Sequence, residues 1–283
     1  MTRADVSPAY LDGRFLPLSE ARVSALDRGF LFGDAVYEVI PVYAGRSFRL
    51  SAHLRRLARS LSETRISPPC SALEWSRIVS GLIERAGSGD LSVYLQVTRG
   101  VAPRDHAFPD TPPTVFAMAG TMTRPSQDML RQGVAAVTRP DIRWRRCDIK
   151  TTSLIGNVML RQQAVENGAA EAILIRDGIA VEGAATNLFI VSGGVIVTPP
   201  KGVDLLPGIT RDVILELVRK NETAHEEREI PEAELRAAGE VWITSSTKEV
   251  LAVTSLDGDP VGDGRPGPVW RKIWSLLRED PGT

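Results

Sequence analysis

Leu188-Phe189-Ile190-Val191-Ser192-Gly193-Gly194-Val195-Ile196-Val197-Thr198 reads as two short β-rich runs joined by a Gly-Gly pair. Such a connection closes a hairpin, so the two strands are expected to lie antiparallel. The same kind of signal recurs upstream. Tyr10-Leu11-Asp12-Gly13-Arg14-Phe15 turns on Asp-Gly, and the alternating run 36–43 meets Ala44-Gly45 before a second strand at 46–50. Further strands are expected at 91–98, 114–119, 134–138, 172–175, 241–244 and 249–254. Helical stripes lie between them. Leu54, Leu57 and Leu61 form one, and Ser71-x-x-Glu74 is a capping box opening another through Trp75, Ile78, Val79, Leu82, Ile83 and Ala86. Others cover about 154–167 before Gly168, a helix opened by Pro207-Gly208, a short one at 232–238, and a closing stripe of Trp270, Ile273, Trp274 and Leu277. Hairpins outnumber βαβ crossovers, which argues for an α+β chain with mixed or antiparallel sheets.

The chain has 283 residues, enough for about two domains. A turn-rich stretch divides it into a small N-terminal α+β domain (1–120), a linker (121–127) and a large C-terminal α+β domain (128–283). Basic and acidic residues balance, 34 against 35, so no footprint for nucleic acid or an anionic membrane exists. No apolar run reaches the length of a membrane span, and the first residues lack the apolar stretch of a signal peptide. Cys70 and Cys147 form no CxxC pair, so neither a disulfide framework nor a metal site is expected. The cytoplasm is the expected location. Dinucleotide and P-loop phosphate motifs are absent.

Lysine is scarce: Lys150, Lys201, Lys220, Lys248 and Lys272 stand against 29 arginines. Arginine stays protonated, whereas a lysine relieved of its proton is a nucleophile. Lys150 follows Arg143-Trp144-Arg145-Arg146-Cys147-Asp148-Ile149, and crowding by cations favours a neutral amine. The plain alternative is a solvated surface lysine. Glu182, at the end of a short strand before Gly183-Ala184-Ala185, is either a turn glutamate or a carboxylate opposite a ligand nitrogen. Leu206-Pro207-Gly208-Ile209-Thr210 opens a helix whose free N–H groups suit a phosphate, and Ser245-Ser246-Thr247 adds hydroxyls; capping explains either equally well. Arg104 and His106, in a loop between two strands, have the chemistry to grip a carboxylate. Arg56 projects from the first helix, and its plain alternative is a surface charge; His53 and His225 have no partner motif and read as structural residues.

Taken together, these segments resemble the fold-type IV pyridoxal-phosphate-dependent aminotransferases, and within them the bacterial D-amino acid transaminases. The matching stretches are Asp27-Arg28-Gly29-Phe30-Leu31-Phe32-Gly33-Asp34-Ala35-Val36-Tyr37-Glu38, Gln96 to Gly100 with Pro103-Arg104-Asp105-His106, Asp141 to Lys150, Glu182-Gly183 with Asn187, Gly208 to Asp212, and Thr244 to Thr247. They occur in family order and cover about residues 10–275.

The resemblance implies a homodimer of two-domain subunits with pyridoxal 5'-phosphate at the domain interface. It implies that Lys150 holds the cofactor as a Schiff base and that Glu182 pairs with the pyridine nitrogen. Arg56, Ile209, Thr210 and Ser246 match phosphate-binding positions, and Leu206 matches an apolar residue under the ring. Tyr37, Arg104 and His106 match a trap for the substrate carboxylate, the last two reaching in from the neighbouring subunit. The implied reaction moves an amino group from a D-amino acid of the D-alanine type to a 2-oxo acid such as 2-oxoglutarate. A branched-chain L-amino acid aminotransferase and an aminodeoxychorismate-lyase-like enzyme of the same fold are the alternatives. Ala184 and Ala185 stand where the family pattern has serines, Ser246 where it has threonine, and Ala35 where it has glycine.

Overall fold

The structure, a computed structural model, describes residues 7–279. Its chain contacts divide it into two compact units. One ends at Thr123 and also takes in Ile149–Ser153; the other holds Arg124–Asp148 and the described residues from Leu154 onward. The short return of 149–153 brings Lys150 into the first unit.

The first unit contains β1 (Pro8–Leu11), β2 (Arg14–Pro17), α1 (Arg28–Phe32), β3 (Ala35–Tyr43), β4 (Arg46–Ser47), α2 (Leu50–Thr64), α3 (Ala72–Ala86), β5 (Leu91–Thr98) and β6 (Thr114–Thr121). The strands form one antiparallel sheet in the order β2-β1-β6-β5-β3-β4. In β5, Leu91, Val93, Leu95 and Val97 alternate inward and are buried. They join Val36, Ile40, Leu57, Leu61, Trp75, Val79 and Leu82 in one core between sheet and helices. The α3 capping box forms as its spacing predicts, with Ser71 N donating to Glu74 Oε2 at 2.7 Å. The strand expected at 46–50 stops at Ser47. Arg49 turns left-handed (φ 50°) and hands the chain to α2 at Leu50.

The second unit contains α4 (Gln127–Gln132), β7 (Val134–Pro140), α5 (Ile155–Glu166), β8 (Glu171–Arg176), β9 (Ile179–Gly183), β10 (Asn187–Ser192), β11 (Val195–Thr198), α6 (Ile209–Lys220), β12 (His225–Glu227), β13 (Ile230–Pro231), α7 (Glu232–Ala237), β14 (Glu240–Ser245), β15 (Glu249–Leu256), β16 (Asp259–Pro260) and α8 (Pro268–Glu279). Its sheet is mixed. It runs β12-β11-β10-β14-β15-β7-β8-β9-β13, with β7 parallel to both β15 and β8 and β11 parallel to β12. The Gly193-Gly194 hairpin pairs Ile190 with Val197. Helix α5 covers one face through Leu160 and Ala164 against Ala172, Leu174 and Val181. Helices α6 and α8 pack on each other and on β14. Helix α4 is an addition to the sequence reading: Ser126 caps it by accepting from Met129 N. No helix of the described residues is long and apolar enough to cross a membrane.

Candidate active site

In the first unit Lys150 sits on a short backbone return pinned from two sides. Tyr37 N donates to its carbonyl at 3.0 Å, and its own N donates to Ser60 Oγ at 3.3 Å. Thr151 bridges to Val36, and its hydroxyl donates to Ala35 O. The side chain is half-buried, with Nζ 4.2 Å from the centroid of the Tyr37 ring. Tyr37 in turn stacks on Tyr94, whose hydroxyl burial and the nearby Tyr37 push up to about 12. The sequence thus brings two of its candidates, Tyr37 and Lys150, face to face.

Beside them lies a buried charged cluster. Glu38 accepts from Arg56 Nε at 2.7 Å, from Arg56 Nη2 at 2.8 Å and from His53 Nδ1 at 2.8 Å. Burial opposes the Glu38 charge, but the Arg56 guanidinium and the hydrogen bonds outweigh it and hold the carboxyl near 2. Burial pushes His53 below its ordinary value, against the pull of Glu38. Arg56 is therefore no surface charge but a buried, oriented fork. His53 Nε2 is buried without a hydrogen-bond partner among the described residues.

Arg104 and His106 occupy the irregular stretch between β5 and β6, both exposed. They converge on one ring. The Arg104 guanidinium lies 5.0 Å from the Phe32 centroid and the His106 ring 5.3 Å from it.

In the second unit Glu182 ends β9 and is 4% exposed. Arg143 Nη1 donates to its Oε1, while Asn187 Nδ2 and Leu206 N each donate to Oε2 at 3.1 Å. Arg143 is itself gripped by Asp141. Burial nonetheless dominates and raises the Glu182 carboxyl to about 7. A carboxylate held this way favours a further cationic partner. Leu206 and Asn187 are tied together, since Asn187 Nδ2 also donates to Leu206 O at 2.8 Å. Ile209 and Thr210 form the buried first turn of α6, whose N-cap Gly208 supplies no side-chain cap. The N–H groups of that turn lack an intrahelical partner by geometry. A side chain at Gly208 would collide with Asn187 Oδ1. Ser246 lies half-buried in the turn between β14 and β15, and the buried hydroxyls of Thr186 and Thr244 have no partner among the described residues.

One expectation needs correction. The cationic crowding before Lys150 is cancelled, because Arg143 pairs with Asp141 and Glu182, Arg146 with Asp148, and Arg145 with Asp177. His53, read as structural, is buried and bonded to Glu38. Sequence reasoning also missed the Arg143–Glu182 pair, which joins residues 39 apart.

Comparison with known proteins identifies the family. The class IV aminotransferase family profile matches residues 35–256. The chain is 42% identical to a D-alanine aminotransferase of Bacillus licheniformis over 94% of both chains. It is 38% identical to one of Staphylococcus epidermidis over 95% of both. Among solved structures, the Escherichia coli branched-chain amino acid aminotransferase superposes with a TM-score of 0.91 at 25% identity, covering 97% of this chain and 94% of that one. The branched-chain aminotransferase of Thermoproteus uzoniensis gives 0.87 at 27%, covering 96% and 94%. A rare lysine fixed against a tyrosine, a buried glutamate anchored on both oxygens and an uncapped helix start all fall inside the matched span, and the chain belongs to the class IV aminotransferases.

Proposed function

We propose that this aminotransferase acts on D-amino acids of the D-alanine type and passes the amino group to a 2-oxo acid such as 2-oxoglutarate. The observation that carries this reading is the 42% identity to a D-alanine aminotransferase along 94% of both chains. The branched-chain enzymes share the fold at 25–27% identity, which favours the branched-chain alternative less. A lyase of the same fold would release pyruvate without an acceptor, so acceptor dependence separates it.

Pyridoxal 5'-phosphate is the cofactor of this class, and the residues present fit it. A buried carboxyl raised to about 7 suits a ring nitrogen that carries a proton, and an uncapped 12-residue helix suits a phosphate. When bound, the cofactor supplies an electron sink for the pair left when the Cα–H bond breaks. The protein's part is binding, orientation and proton placement. Lys150 would anchor the group through Nζ and, once freed by the substrate amine, hold and move the Cα proton at that atom. Glu182 would keep the proton on the ring nitrogen. Arg56, the N–H groups and hydroxyl at Ile209 and Thr210, and the Ser246 hydroxyl would take the phosphate, and Leu206 would offer the ring an apolar face.

Tyr37, Arg104 and His106 would bind the substrate carboxylate and so select the enantiomer whose Cα–H faces Lys150. We assign the last two to the site of the neighbouring subunit in a homodimer. Exposed apolar side chains support such an assembly: Phe30 on α1, and Ile155, Val158, Met159 and Val165 along one face of α5.

Borohydride reduction followed by peptide mapping tests these roles. A stable adduct is expected on Lys150 and none on K150A. R104A is expected to weaken D-alanine binding while cofactor stays bound; loss of cofactor with selectivity intact would refute the trap.

A further inference from the structure

Residues 99–113, between β5 and β6, carry Arg104 and His106 and contain no regular helix or strand. An irregular segment of this length needs outside contacts to hold a geometry. Arg28 provides them. It is 4% exposed, and its Nε donates to Asp34 Oδ2 at 2.9 Å. The rest of its guanidinium faces three successive loop carbonyls, those of Asp105, His106 (3.4 Å) and Ala107 (3.3 Å). The same guanidinium lies 4.8 Å from the centroid of Phe32, the ring on which Arg104 and His106 converge. Asp34 is also held by Arg99, through Nε at 2.7 Å and Nη2 at 3.0 Å. Arg99 stands 3.7 Å over Phe108, with Arg65 on that ring at 5.0 Å. Asp27 fixes the start of the turn by accepting from Thr98, Thr114 and Gly29 N.

We propose that Arg28 is a positioning residue for substrate selection: by gripping the carbonyls of residues 105–107 against Asp34, it sets the direction in which Arg104 and His106 meet the substrate carboxylate. The proposal rests on the carboxylate-trap reading given above. Arg28 acts through the loop backbone, by its bonds to Asp34 and to the carbonyls of residues 105–107. A planar fork with five donors spans one carboxylate and three carbonyls at once, which an ammonium does not do.

The test compares purified holoenzymes of wild type, R28A, R28K, R104A and the doubles R28A/R104A and R28K/R104A. KM for D-alanine, kcat, the D-to-L ratio of kcat/KM, cofactor absorption and Tm are measured on each. Loss of placement is expected to raise KM about tenfold or more, to lower kcat less than that, and to erode the D-to-L ratio. R28K is expected to retain full cofactor absorption, and it carries the test if R28A does not fold. Because Arg28 acts through Arg104 and His106 together, each Arg28 substitution is expected to raise KM by a smaller factor on the R104A background than on wild type. A KM increase that adds in full to that of R104A, or a wild-type KM in R28K when R104A has lost binding, overturns the proposal. An R104A enzyme with unchanged KM refutes the trap itself, and the Arg28 assignment with it.

Discussion

Arg143 Nη1 donates to Glu182 Oε1 while the Leu206 amide holds Oε2 at 3.1 Å, so one buried carboxylate is gripped on both oxygens by two separate segments. Burial still raises its pKa to about 7. Glu182 is thus balanced between charged and neutral, with Arg143 the main force keeping it charged.

Replacing Arg143 by methionine removes that force. The Glu182 pKa is expected to rise further, leaving less carboxylate to hold the ring nitrogen protonated at neutral pH. A rise of one unit takes the ionised fraction at pH 7 from about a half to about a tenth, so kcat at pH 7 is expected to fall about fivefold and to recover partly as pH increases. A loss that is equal at every pH would contradict the coupling.

Glu182 also makes a pH-dependent contribution to the stability of cofactor-stripped protein. Its folded pKa, about 7, lies above the ordinary 4.5. Its contribution is therefore complete below about 4.5 and is lost as pH rises through 7, an effect of about 3 kcal/mol. In E182Q the amide keeps an acceptor for Arg143 and carries no charge. The stripped variant is expected to melt above stripped wild type at pH 8 and level with it near pH 5. Thermal scans at the two pH values decide it. In the loaded enzyme the same variant is expected to slow proton removal more than it weakens cofactor binding.

Glu38 has the opposite sign. Arg56 and His53 hold its pKa near 2, below its ordinary value, so its contribution is complete above about 4.5 and is lost as pH falls towards 2. Replacing it by glutamine also leaves the buried Arg56 charge without its carboxylate. E38Q is expected to lose about 3 kcal/mol at pH 7 and to bind cofactor more weakly through a misdirected Arg56. Chemical denaturation and cofactor titration measure the two effects.

Packing away from the site is separable from catalysis. Leu82, fully buried under the first sheet, is expected to cost about 2–5 kcal/mol when cut to alanine. Removing the Ser71 cap is expected to cost about 1 kcal/mol. Both variants should keep wild-type KM and cofactor absorption at temperatures where they remain folded.

What the sequence made legible was local or periodic. The Gly193-Gly194 hairpin, the Ser71–Glu74 box and the α2 stripe each depend on residues within one turn or one strand pair. Lys150 stood out because lysine is rare, and Glu182 because small residues follow it. Contacts between distant segments were not legible. His53 and Arg56 meet Glu38 because α2 lays one face on β3, and no spacing in the chain announces that pairing. Arg28 reaches carbonyls 77 to 79 residues away, and backbone acceptors leave no residue signature at all. Arg49, left-handed without being glycine, ended a strand that β-propensity alone extended to Leu50.

The most direct test is pyruvate formation from D-alanine and from L-alanine, each with and without 2-oxoglutarate, with the visible absorption of the cofactor followed in parallel. Pyruvate from D-alanine only, and only with the acceptor, is the expected outcome. A spectral response and turnover with L-amino acids instead would leave the family and Lys150 in place and refute the D-specific carboxylate trap at Arg104 and His106.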